Sequence, residues 1–368
     1  MKYISVLILF LFSFAQSKYL DNYTCQECHE KIYDEYNSSQ HSKTYFNDEL
    51  HRKIADAASK TKYDCAVCHM PMADNIKALI NGEARPNINN KTHSDGVSCY
   101  FCHTIAYVKK SHRFNINIKS RQAEGYKPTL YGRLHDPDDS DKHSSINNPV
   151  YAKNVCKGCH SHKLNENNVT IFSAMQNKQD SLSCIKCHMP EIEGGAEKMD
   201  KRARGQHASH KFLGIHDKEF RATGMDINIS VKNDKLSLIL HNKTTHPLII
   251  QAARAKFFKI EITRNAKPIW QNYAEDPRED AQSYFGSSFK KDGKKIIIPA
   301  TATEGSANNI DAEETRELTY TIPHLQKGDR ISVTMYVQLA KTDCIGTIEL
   351  EDNSLTEPML MQHIEKIW

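Results

Sequence analysis

Beyond residue 224 the hydrophobic pattern of the chain has a period of two. In DINISVKN, Ile227, Ile229 and Val231 alternate with polar neighbours. In KFFKIEITRN, Phe258, Ile260 and Ile262 oppose Lys259, Glu261 and Thr263. RISVTMYVQL sets Ile331, Val333, Met335, Val337 and Leu339 on one side, and ELTYTI and KIIIP add two shorter runs. Alternation of this kind marks half-buried strands, so the region is expected to form an antiparallel β-sandwich, immunoglobulin-like in arrangement. The closing stretch, EPMLMQHIEKIW, reads as a short amphipathic helix. Upstream the period disappears. HRKIADAASKTKYD and CQECHEKIYDEYNSS read as short helices, while RPNINNKTHSDG and RLHDPDDSDKHSSINNP, rich in Asn, Asp and Pro, read as loops.

The first residues differ again. After Lys2 an apolar run covers residues 4–15 and ends in Ser13-Phe14-Ala15, a small-x-small pattern suited to cleavage before Gln16. That run is short for a spanning helix, so export is expected, with an uncleaved anchor as the rival. The chain therefore divides into a signal segment, 1–15, a largely helical and loop region, 16–222, a β-sandwich, 223–345, and a tail, 346–368: an α+β chain of two domains.

The cysteines change the picture. Ten of the eleven lie between Cys25 and Cys187, and only Cys344 falls outside. They form five pairs of one pattern: CQECH (Cys25, Cys28, His29), CAVCH (Cys65, Cys68, His69), CYFCH (Cys99, Cys102, His103), CKGCH (Cys156, Cys159, His160) and CIKCH (Cys184, Cys187, His188). In an exported chain, an even set of cysteines ordinarily means disulfides, but a disulfide needs no trailing histidine. Structural zinc takes two matched pairs or a remote pair of histidines. A c-type haem needs this arrangement: two thiols bond the two vinyl groups of one porphyrin, and the next residue places an imidazole under the iron. Five covalently bound haems c are expected, with His29, His69, His103, His160 and His188 as proximal ligands. Met70-Pro71 and Met189-Pro190 follow two of these histidines on the same side of the ring, which gives them a structural role in ending the turn.

Fourteen of the 19 histidines remain to supply the opposite faces. CQECHEKIYDEYNSSQH resembles the start of the multihaem cytochrome c family that contains the nitrifiers' tetrahaem cytochrome and the hydroxylamine-oxidoreductase-like scaffolds, with Tyr36 where tryptophan is usual. The resemblance implies His41 as a distal ligand to a haem other than its own. THSDGVSCYFCH implies His93, KHSSINNPVYAKNVCKGCH implies His143, and RGQHASHKFLGIH implies His210. HNKTTHPLIIQAAR shares Asn242, His246 and Arg254 with the family's pattern but lacks its Pro-Thr-Gly, and implies His246. His112 and His207 are reserves.

About 165 residues for five haems is roughly 35 per haem, too few for an ordinary side-chain core, so the porphyrins should supply the apolar mass and lie close together. The formal charge of +4 falls to roughly −2 once the signal is lost and each ferric haem adds about −1. No basic patch interleaved with aromatic residues points to nucleic acid. Lys31, Lys153, Lys157 and Lys186 are solvated, and available to steer an acidic redox partner. These features imply a periplasmic electron carrier between a membrane quinol-oxidising system or another cytochrome and a terminal reductase. The alternatives are an oxidoreductase acting on a small nitrogen or sulfur compound at an open haem, and a homo-oligomeric assembly whose haems form a wire. Cys344 is expected to be a buried thiol.

Overall fold

In a computed structural model, the structure describes residues 19–120, 126–174, 184–195 and 204–368. The signal segment expected at 1–15 lies outside them. Among the described residues, no helix is long and apolar enough to cross a membrane.

Up to residue 222 the described helices are short. The longest, Glu49–Ala58, has ten residues, and Glu30–Ser38 has nine. Each starts or stops on local chemistry. Asp21 caps Asn22–Gln26 through the Thr24 N–H, Asp48 caps Glu49–Ala58 through the His51 N–H, and Ser98 caps Cys99–His103 through the Phe101 N–H. Gly82, at φ +82°, ends Ile76–Asn81 in the left-handed conformation that glycine adopts without strain. The side-chain core here is small: Tyr45, Ala55, Tyr63, Ala66, Met70, Ala73 and Leu79. Met70, wholly buried in that cluster, has the structural role expected of it. Short ladders interrupt the helices. Ile105–Lys109 pairs with Ile116–Lys119, His162–Leu164 with Thr170–Ser173 and Glu191–Glu193 with Gln206–Ala208, all antiparallel, while Thr129–Gly132 pairs with Ser144–Asn147 in parallel. The sequence pattern predicts only helices and loops in this region, because ladders this short carry no period.

After the helix Lys218–Ala222, strands take over. One sheet has the order Thr315–Thr321, Lys235–Asn242, Met225–Lys232. The other runs Lys294–Ile296, Tyr284–Lys291, Ala255–Arg264, Arg330–Gln338, Met359–Ile367, with Lys267–Gln271 and Glu304–Asn308 on its flanks. Leu236, Leu238 and Leu240 of the first sheet share one core with Phe258, Ile260, Ile262, Ile331, Val333, Met335 and Val337 of the second. The C-terminal stretch read as a helix is an edge strand. A register shift opposite Met335 and Tyr336 breaks its alternation, so Met359, Met361 and Ile364 all reach the core despite their uneven spacing.

The two regions are joined by a third cluster, in which Leu50 packs with Ala340, Cys344, Ile348 and Leu350. Cys344 is fully buried there. The Glu49 carboxylate accepts the Glu351 and Asp352 N–H groups, and Lys53 pairs with Glu351 at 2.9 Å. The strand-rich region is thus packed against the helix that carries His51.

Candidate haem-binding site

Every motif folds as a single helical turn. The His29, His69 and His160 N–H groups donate to the carbonyls of Cys25, Cys65 and Cys156 at 2.9, 2.9 and 2.8 Å, and Cys99–His103 and Cys184–His188 are helices. Positions i, i+3 and i+4 lie on one helix face, so each turn presents two thiols and an imidazole together. None of the eleven cysteines is in a disulfide. Instead, thiols of different motifs lie beside one another: Cys25 and Cys99, Cys68 and Cys159, and Cys156 and Cys184.

Opposite each motif histidine stands a second imidazole. The ring centres of His29 and His143 are 6.3 Å apart, those of His103 and His210 6.3 Å, and those of His188 and His246 6.4 Å, with planes within 24° of parallel. His41 faces His160 at 5.8 Å and 80°, and His51 faces His69 at 5.1 Å and 43°. Two imidazole nitrogens, each about 2 Å from one metal ion, put ring centres roughly 6 Å apart; four of the pairs have that spacing, and His51 with His69 stands closer. The hydrogen bonds behind these rings have the matching polarity. Nδ1 of His103 donates to Tyr131 O, that of His188 to Leu213 O, that of His210 to Ala208 O and that of His246 to Pro247 O, at 2.5–2.9 Å. This leaves Nε2 as the lone pair for a metal. His51 differs, with Nδ1 at 2.5 Å from the Asp48 carboxylate. Burial pushes His41 and His69 down to about 3, and His210 and His246 to about 4, keeping these rings in the neutral form that coordinates.

His93 is not where the resemblance put it. It is buried, but its Nδ1 accepts from the Asn87 N–H at 3.1 Å and its Nε2 lies 2.8 Å from Asn75 Oδ1, so both nitrogens are engaged by the segment before it. The imidazole at the second motif is His51, which no motif signals; its only local mark is Asp48, which caps the helix and orients the ring. Of the reserves, His112 is hydrogen-bonded to Asn168, and His207 lies between Gly194 O and Glu35.

Phe212 joins two of the pairs. Its ring is edge-on to His41 at 4.3 Å and to His210 at 5.9 Å. It holds φ at +50°, an outlying conformation for a bulky residue that the surrounding packing must maintain.

Residues 24–104, which span the first three motifs, match the family model of cytochrome c554 and c-prime. No curated protein matches the chain. Among solved structures, a penta-heme cytochrome c552 from Thermochromatium tepidum shares the fold, with a TM-score of 0.74 and 20% identity, over 95% of this chain and 99% of that one. The paired thiols and imidazoles fit covalent haem, and together with the family match and the shared fold they support a multihaem c-type cytochrome.

Proposed function

We propose that this chain is an exported, periplasmic pentahaem cytochrome that relays electrons between redox partners, a quinol-oxidising system or cytochrome on one side and a terminal reductase on the other. One observation carries the reading: each of the five motif histidines faces a second imidazole. Doubly ligated iron exchanges electrons but offers no position for a substrate, and two imidazoles favour a lower potential than a Met/His pair. The inter-motif contacts give the relay an order. The first motif touches the third through Cys25 and Cys99, and Phe212 bridges the third and fourth imidazole pairs. The fourth then touches the second through Cys159 and Cys68, and the fifth through Cys156 and Cys184. The fourth site is the junction. The protein supplies the fixed spacing and the exclusion of water; haem supplies the one-electron chemistry when bound.

The finer resemblance to the nitrifier tetrahaem and hydroxylamine-oxidoreductase-like scaffolds belongs to this reading, supported by the placement of His41, His143, His210 and His246. So does the immunoglobulin-like reading of the C-terminal region. Its first, second and eighth strands form one sheet, and its third, ninth and tenth are consecutive in the other.

The mature protein is expected to carry five haem additions by mass and pyridine haemochrome, and to give a wholly low-spin ferric spectrum that nitrite and hydroxylamine leave unchanged. A high-spin component that shifts with either compound would favour the enzyme instead.

A second expectation concerns Asp48. A carboxylate acceptor on Nδ1 makes His51 a more basic ligand than a carbonyl does, which favours ferric iron. Asp48→Asn should therefore raise one of the five midpoint potentials and leave the other four in place, as read by potentiometric titration followed in the visible spectrum. Five unmoved potentials would show that Asp48 only caps its helix.

A further inference from the structure

Two half-buried cations lie where the strand-rich region meets the motif-bearing region. Arg254 and Lys256 flank Ala255, the first residue of the strand Ala255–Arg264, and residues two apart in extended chain project to the same side. Ala255 between them is fully buried. Lys256 Nζ donates to Leu248 O at 2.8 Å. The Arg254 guanidinium has no hydrogen bond or ion pair among the described residues, and its Nε is buried without a partner. The carboxylate whose charge acts on Arg254 is Asp48, which is already engaged by the backbone N–H and ring of His51. The other group beside it, His216, is pushed down to about 4 by burial and then by Arg254 itself, so it adds no negative charge. Burial likewise drives Lys256 down to about 7, with the Arg254 charge adding to the effect.

A buried guanidinium nitrogen without a partner is costly, and proteins retain such a group, here with an ammonium beside it, where an anion completes it. The surroundings identify that anion. Lys256 is bonded to Leu248 O, two residues after His246, which faces His188, while Ala253, next to Arg254, packs in the cluster of Leu50, on the helix that carries His51 of the His51–His69 pair. The site therefore sits between two of the imidazole pairs, and a haem brings two carboxylates with it. A guanidinium takes a carboxylate through two parallel N–H bonds, and an ammonium takes one as a point charge.

We propose that Arg254 and Lys256 form a carboxylate site for the propionates of the haem held between His188 and His246. The inference rests on the pentahaem reading above. In this arrangement the strand-rich region is more than a cap. It supplies the axial His246 and also the counter-charge for the same haem, and the two cations, by favouring the electron-rich ferrous state, hold its potential up.

The test is the double variant Arg254→Gln, Lys256→Met in the mature holoprotein, compared with Lys290→Met, Lys291→Met, which removes the same charge from an exposed strand. Haem content by mass is measured first, since fewer than five haems in the wild type would fail the pentahaem reading and not this one. With five present, one midpoint potential should fall in the double variant and none in the control. Five unmoved potentials, or the same shift in the control, would overturn the proposal. Nitrite or phosphate added to the wild type should move nothing; a shift that disappears with Arg254→Gln would assign the cations to a free anion and overturn it as well. If the double variant does not mature, Arg254→Lys is compared with wild type by redox-difference infrared spectroscopy. A perturbed propionate carboxylate band supports the site, and an identical band rejects it.

Discussion

His51→Ala is expected to convert one of five low-spin irons to the high-spin form and to let nitrite or hydroxylamine shift its spectrum. His93→Ala should leave the spectrum as it was. His51 is the imidazole opposite His69, and without it the second site has one protein ligand where the others have two. The fold should survive, because the helix Glu49–Ala58 is capped by Asp48 through the backbone N–H of residue 51, which alanine retains. His93→Ala has the opposite profile. It removes a buried ring that accepts the Asn87 N–H and meets the Asn75 side chain, a loss of about 0.5–1.5 kcal/mol for each hydrogen bond that would appear as a lowered Tm. Ferric absorption spectra and melting curves of the two holoproteins separate the roles. A high-spin signal from His93→Ala and none from His51→Ala would reverse the assignment.

The contrast between these two histidines shows what was legible in the sequence. The proximal residues could be read because thioether chemistry ties two thiols and an imidazole to one helical turn, and that turn is written in five consecutive letters. The imidazoles that face them come from elsewhere in the chain. His41, His143, His210 and His246 reach the motif histidines of other segments, and nothing in their spacing says so; a resemblance supplied them. It also supplied His93, whose surroundings in sequence fit but whose nitrogens are occupied by Asn87 and Asn75. Strands were legible where one face is buried over many residues, as in Ala255–Arg264 and Arg330–Gln338. The edge strand Met359–Ile367 was not, because the register shift opposite Met335 and Tyr336 disturbs the period. Ladders of three to five residues, such as Glu191–Glu193 with Gln206–Ala208, are too short to carry a period at all.

The last pairing, Glu191–Glu193 with Gln206–Ala208, leads directly into His210, whose position depends on a residue far away in sequence. Glu35, on the helix Glu30–Ser38, is buried. One carboxylate oxygen accepts the His210 N–H at 2.8 Å, and the other lies 3.0 Å from His207 Nε2. His207 in turn donates Nδ1 to Gly194 O at 2.8 Å. A single carboxylate thus ties the helix after the first motif to the loop that carries the imidazole facing His103. Glu35→Ala would leave the His210 N–H and the His207 ring without the carboxylate they share, at about 1–3 kcal/mol for each. A Tm lowered by several degrees is expected, together with a partial high-spin signal as His210 loses its anchor. Glu35→Gln keeps the volume and one acceptor oxygen, so it should cost less, about 1–3 kcal/mol, and keep the spectrum low-spin. Thermal melts of the ferric holoproteins, followed at the Soret band and by far-ultraviolet circular dichroism, decide the matter. If Glu35→Ala melts with the wild type, the carboxylate is not what holds His210 in place, and the covalent motifs with their haems must position that loop unaided.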